Sequence, residues 1–261
     1  MPKPNNVDSV EQFIAMACEL RDKWMGRSDM AILPWFRGQE DADWNLAPKF
    51  YRALPMDLTT EREIREEFIT HAPALCDIRP ENEWQWYFLM QHCGAPTRLL
   101  DWTDGALIAL YFAVRDNRGR ADAAVWAIDP WWLNGMVIQK DSVDPVGDTL
   151  IPGPLKEDEW LLDRFGPIGK LPPLPIAVLP GHFDRRIGAQ RSSFTVHGGD
   201  PAGLMTAAEA TNYEGLTKIV IPSAKVRKIK RSLDTCGIDE TTIFPDLEHL
   251  SRVIEYRWKK T

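Results

Sequence analysis

The chain has 261 residues, 44% of them apolar, enough to bury the core of one large domain or two small ones; a single domain is expected. A formal net charge of -7 leaves no general positive field to gather nucleic acid, so nucleic acid is a disfavoured partner and any anion site must be local. No apolar run approaches the ~18 residues of a membrane span, the opening MPKPNNVDSV lacks the charged and apolar regions of a secretory signal, and Cys18, Cys76, Cys93 and Cys236 stand far apart with no CxxC pair. These features predict a cytoplasmic protein with free thiols, no membrane partner and no metal.

Ser9 and Gln12 form a capping box, and Val10, Phe13, Ile14, Ala17, Leu20 and Trp24 then share one face, which predicts a helix over residues 9–26. AILPWFRG (31–38) is apolar and aromatic and reads as a strand, with Pro34 at its start or on an edge. Thr60 with Glu63 forms a second capping box, opening a helix with Ile64, Phe68 and Leu75 as its buried stripe. A third helix is expected over EWQWYFLMQH (83–92), ended by Gly94 and Pro96, and RLLDW (98–102) then reads as a short buried strand. ALIALYFAV (106–114) is a compact apolar helix that Thr103 or Asp104 can cap. AAVWAID (123–129) is apolar throughout, as a central strand is.

Eight of the 20 prolines fall between Pro145 and Pro180, so residues 145–180 are expected to form a long loop or lid, with EDEWLLDRF as a short helix within it. Strands return at PIAVL, SSFTVHG and LTKIVIP. SAKVRKIKRSLDTCG follows as a helix with Ser223 as N-cap and Gly237 as stop; Val226, Ile229 and Leu233 give it an inner face, and the basic run 225–231 reads as its solvated outer face. A last helix is expected from about Asp246 to Trp258. The pattern predicts an α+β domain, a core at residues 31–130 with further strands and helices over 181–260, built on a mixed, mostly antiparallel sheet with flanking helices.

The chemistry concentrates in residues 91–103, where Gln91, His92, Thr97, Arg98, Asp101 and Thr103 are interleaved with Leu99, Leu100 and Trp102. Either these line a site, or Arg98 and Asp101 form a buried ion pair with His92 as a hydrogen-bonded neighbour. Arg37 adds a second cation, and its flanks Trp35, Phe36 and Gly38 suit a place where the backbone comes close to a ligand and aromatic faces border a cavity. A buried arginine needs a partner, and its planar fork suits a carboxylate or a phosphate, so Arg37 holds an internal acid or a ligand anion.

Phe36, Arg37 and Gly38, followed by Gln39, spell the motif of the FRG family, a largely bacterial and phage domain, and QHCGAPTRLLDWT matches the family's QHxGxPTRLLDWT from Gln91 to Thr103. The resemblance extends to ALYFAV, VWAIDPWWLN, AQRSSFTVHG and TTIFPDLEHL, with Ser192 standing where the family often has glycine. Through the family the chain resembles, more distantly, the ADP-ribosyltransferases, in which an aromatic-Arg-Gly strand sets an arginine on the diphosphate of NAD. The resemblance implies an ADP-ribosyltransferase-like fold and NAD as cofactor. Arg37, with Arg98, would take the diphosphate, Gly38, Gln39, Gln91, Thr97 and Thr103 would belong to the ligand-binding set, and Trp102 or Phe36 would pack against a ring. Asp101 would stabilise charge on the ribose, and Gln190 and His92 would orient its hydroxyls. The late strand lacks the Glu-x-Glu of those enzymes; Gln190 stands where an acid is wanted, with Asp101, Glu209 and Glu214 as substitutes, and a glutamine cannot act as a base.

Three functions are weighed. The resemblance implies an NAD-dependent ADP-ribosyltransferase or NAD glycohydrolase, as in toxins and phage-defence effectors. A non-catalytic module for a nucleotide, a phosphorylated ligand or nucleic acid needs the same arginines but no acid. A metal-dependent nuclease on His92, Asp101 and His182 or His197 comes last, because no HxH, HxxxH or DxD spacing supports it.

Overall fold

The computed structural model describes residues 5–25, 33–54, 58–76, 80–140, 171–180 and 188–258. Its centre is a seven-stranded sheet made of β1 (Asn5–Asn6), β2 (Trp35–Gln39), β3 (Leu99–Thr103), β4 (Ala123–Ile128), β5 (Ile176–Val178), β6 (Ser192–Val196) and β7 (Leu216–Ile221). The order is β1-β7-β4-β2-β3-β6-β5, and every neighbouring pair is antiparallel except β1 with β7. The protein is therefore α+β with a mixed, mostly antiparallel sheet.

Two helical layers cover the sheet. On one face α1 (Val10–Met25), α5 (Ala106–Val114) and α8 (Ser223–Thr235) bury Phe13, Trp24, Leu110, Val226 and Ile229 against Phe36, Val125 and Ile219. On the other, α4 (Glu83–His92), α6 (Pro130–Lys140) and α7 (Gly203–Ala210) bury Phe88, Met90, Leu133 and Leu204 against Trp35, Leu100, Ile128 and Val196. β4 is buried along its whole length because it is central and covered on both faces. Short α2 (Lys49–Ala53), α3 (Leu58–His71), α9 (Glu240–Ile243) and α10 (Leu247–Trp258) lie beside these layers, and no helix among the described residues is long and apolar enough to cross a membrane.

Several local expectations change. Thr60 lies inside α3, which starts at Leu58, and Leu75 is 83% exposed because the helix ends at His71 and passes into a 3-10 turn over Ala72–Ala74. Ser223 is the first residue of α8 rather than its cap; its N–H donates to Asp122 Oδ1 at 2.8 Å, a cap supplied from the start of β4. The N-cap of α5 is Gly105, whose N–H is taken by Thr103 Oγ1 at 3.0 Å. Helix α6 was legible but not expected: Asp129 accepts the N–H groups of Trp131 and Trp132, and Pro130 occupies the first helical position. The expected lid at 145–180 and its EDEWLLDRF helix lie outside the described residues up to 170, and residues 171–180 contain β5.

The sheet has one weak joint. β2 pairs with β4 from Trp35↔Ile128 to Gln39↔Ala124, and β3 pairs with β6 from Leu99↔Val196 to Thr103↔Ser192, but β2 and β3 share only Phe36↔Thr103. Gly38 governs how β2 lies here. A Cβ at that position would stand 2.0 Å from Ala109 O and 2.6 Å from Ala113 N, so the close approach that the glycine permits is to α5 rather than to a ligand. Gly38→Ala must push α5 off the sheet and is expected to destabilise the protein by about 3 kcal/mol, read as a lower urea midpoint at an unchanged m-value.

Candidate functional site

A cleft of about 450 Å³ opens along the joint, lined from β2 by Arg37 to Gln39, from β3 by Asp101, from the loop after β2 by Glu40 and Trp44, from α2 by Lys49 and Arg52, and from α4 by Gln91 and His92. Arg37 spans the gap between the parted strands. Its side chain is 19% exposed, and its Nη1 donates to the main-chain carbonyl of Asp101 at 2.8 Å and stands 3.5 Å from Asp101 Oδ2. Its Nε is buried with no hydrogen-bond partner among the described residues. Burial lowers the proton affinity of Arg37; Asp101 opposes this and Arg52 adds to it.

Asp101 turns its carboxylate, 53% exposed, to the cleft. Oδ2 accepts from Gln91 Nε2 at 2.8 Å, Gln91 Oε1 accepts from Thr97 Oγ1, and Thr97 Oγ1 accepts the Leu99 N–H at 3.2 Å. The chain of bonds explains why Gln91, Thr97 and Asp101 recur in one motif: the amide turns the acid and the buried hydroxyl turns the amide. Glu40 is the other carboxylate of the cleft; burial raises it above its ordinary value and Asp116 adds to this, while Arg115 and Lys230 oppose it.

Arg98 has a different place. It is fully buried, donates from Nε to Glu61 Oε2 at 2.7 Å and from Nη1 to the carbonyl of His197 at 2.7 Å, and does not line the cleft. Tyr87 closes the group, its hydroxyl donating to Glu61 Oε1 and accepting the Arg98 N–H at 2.8 Å. The buried ion pair considered for Arg98 with Asp101 is thus made with Glu61, which reaches the site from α3 and is itself wholly buried. Although burial works against the guanidinium, Tyr87 and Glu61 hold its proton more tightly than usual.

The remaining residues divide by exposure. Trp102 and Phe36 belong to the two cores, Trp102 donating to Thr195 Oγ1 at 3.0 Å, so neither presents an open ring face. Thr103 is buried under the start of α5. Gln39 is buried as well, accepting from Trp126 Nε1 at 2.8 Å and donating to Asn45 O at 3.3 Å. Gln190 and His92 line the cleft, and Gln190 Nε2 donates to Ile243 O at 3.4 Å. Glu209 and Glu214, considered as substitute acids, do not line it. His197 is buried with Nε2 3.2 Å from Thr195 Oγ1, His182 lies outside the described residues, and no cluster of three or more His, Cys, Asp or Glu suited to a metal occurs among the described residues.

Trp44, Lys49 and Arg52 were missed. Lys49 donates to Gly94 O, and Arg52 is exposed with no hydrogen bond or ion pair among the described residues. Their sequence signal is DWNLAPKFYR soon after the Phe-Arg-Gly motif: Pro48 precedes a short helix on which positions 49 and 52 share a face.

The fold and site describe an α+β domain with a cation-lined cleft where its sheet parts. The chain carries an FRG domain: the model of that family, described as FRG domain, matches residues 34–122. The match takes in β2, the Gln91 to Asp101 chain and β4's approach, while β6 and Gln190 lie beyond it. No curated protein and no solved structure matches the chain.

Replacing Glu61 by Gln leaves Arg98 buried without its counter-charge, and a loss of about 3–5 kcal/mol is expected in urea unfolding, with Asp101→Asn costing far less. A second prediction concerns His197, held down to about 3 by burial, then by Arg98 and Arg37, from a usual 6.5. The folded protein keeps it neutral while the unfolded chain protonates below about 6.5, so stability is lost as pH falls from there towards 3. Between pH 7 and 5 this amounts to about 2 kcal/mol, to be read as the difference in pH dependence between the wild type and His197→Gln.

Proposed function

We propose that the cleft binds a phosphate-bearing ligand, foremost a nucleotide. The observation that carries this is the gathering of Arg37, Lys49 and Arg52 on one concave surface of an acidic chain, with Asp101 already engaged by Arg37 and Gln91. The neighbouring Arg52 disfavours the positive charge of Arg37, and an anion bound between them relieves that cost. The volume lies within the range of small-ligand sites, roughly 300–1,000 Å³.

The finer reading is NAD chemistry. In it the diphosphate lies on Arg37 and Arg52, and Asp101 faces the ribose carbon as its bond to nicotinamide breaks. Nicotinamide leaves with the bonding electrons, water or a target nucleophile forms the new bond to that carbon, and the carboxylate stabilises the positive charge between the two events. Gln190 and His92 would hold ribose hydroxyls. The outward-facing Asp101 supports it, and the protein would then act as a toxin or phage-defence effector on NAD or on a target. A non-catalytic nucleotide module is the second reading; it is favoured by the bonds that hold Asp101 and by an amide, Gln190, where an acid is wanted.

Titration calorimetry with NAD, ADP-ribose and ATP separates these. Micromolar binding is expected in wild type, and Arg52→Ala, which removes an exposed side chain and leaves the fold intact, weakens it by about 1.5–3 kcal/mol, roughly ten- to a hundredfold. Absence of binding to wild type ends the phosphate reading. Nicotinamide release that disappears in Asp101→Asn supports catalysis; binding without release leaves the module.

A further inference from the structure

We infer that Trp44 is the platform on which an aromatic base of the ligand stacks, so that the cleft takes base-bearing nucleotides in preference to phosphate alone. This rests on the reading of the cleft as a phosphate site and names the class of ligand within it.

Trp44 is 51% exposed on the cleft wall, whereas Trp102, which also borders the cleft, is buried in the core. The exposure does not come from an untethered loop. The Trp44 N–H donates to Asp41 O at 3.2 Å, the Asp43 N–H to Asp41 Oδ1 at 2.9 Å, the Ala42 N–H to Asp122 O at 2.7 Å, and Asn45 O accepts from Gln39. The backbone on both sides of the residue is therefore anchored to β2 and to the start of β4, and the indole is held out from it. A large apolar ring left in water forgoes the stabilisation that burial gives, and a flat face covering it recovers that stabilisation. Positions 49 and 52 follow within eight residues and border the same cleft, so ring and phosphate contacts come from one short segment. Stacking tolerates any base because every base has a π face; Trp44 selects for the presence of a base and not for its identity.

The test titrates ADP, GDP and inorganic pyrophosphate into wild type, Trp44→Ala and Trp44→Phe, with thermal unfolding to show that each variant is folded. Trp44→Ala is expected to weaken ADP and GDP about tenfold and leave pyrophosphate unchanged, while Trp44→Phe keeps most of the affinity. Unchanged ADP affinity in Trp44→Ala, or a parallel loss of pyrophosphate, overturns the stacking role and leaves the phosphate reading in place. A wild type that binds pyrophosphate as tightly as ADP has the same meaning. A wild type that binds none of the three overturns both.

Discussion

The hydrogen bond from Arg37 to the main-chain carbonyl of Asp101 is the joint on which this molecule turns. β2 belongs to one half of the sheet and β3 to the other, and between them the ladder has the single register pair Phe36↔Thr103. Beyond that pair the strands part, and a guanidinium from β2 supplies to β3 a contact that backbone groups do not make. One side chain thereby closes the sheet and floors a cleft. The same bond explains why the arginine is only half-buried: it must reach the carbonyl on one side and remains open to the cleft on the other.

Two arginines of similar promise in sequence end in opposite roles because one is wholly enclosed and the other opens on the cleft. Arg98, dry and fully enclosed, requires a full counter-charge and finds it in Glu61, with Tyr87 and the carbonyl of His197 using the remaining geometry. Such a group, fully satisfied, ties α3, α4, β3 and the end of β6 together and has no donor directed at the cleft. Arg37 has a looser acid, a carbonyl and a neighbouring Arg52, an arrangement that leaves positive charge to spare. Local electrostatics therefore run against the sign of the whole chain, whose net charge is -7.

Asp101 is oriented rather than merely present. The relay from the Leu99 N–H through Thr97 and Gln91 ends on its carboxylate, so a motif spread over a helix end, a turn and a strand acts as one unit. Fixing an acid beside a cation in an open cleft suits either the stabilisation of positive charge on a substrate or the ordering of Arg37 for a ligand phosphate.

Local pattern determined much of this protein. The repeated spacings of α1 and α8, the compact apolar stretches of α4 and α5 and the unbroken apolar run of β4 were readable because each is carried by residues close together in sequence, and the α+β class followed from them. The concentration of polar residues at 91–103 was readable too, as were the arginine at 37 and the glycine beside it. Tertiary structure alone decided what those residues do. Nothing near Arg98 in sequence points to Glu61, 37 positions away, and nothing near Gly38 points to the carbonyl of Ala109 that makes a side chain impossible there. Nor does local sequence tell the buried Trp102 from the exposed Trp44, since both are flanked by polar residues. Spacing along the chain sets which side of an element is apolar, but pairing, enclosure and exposure depend on which distant element arrives opposite, and that is fixed only when the strands take their order in the sheet.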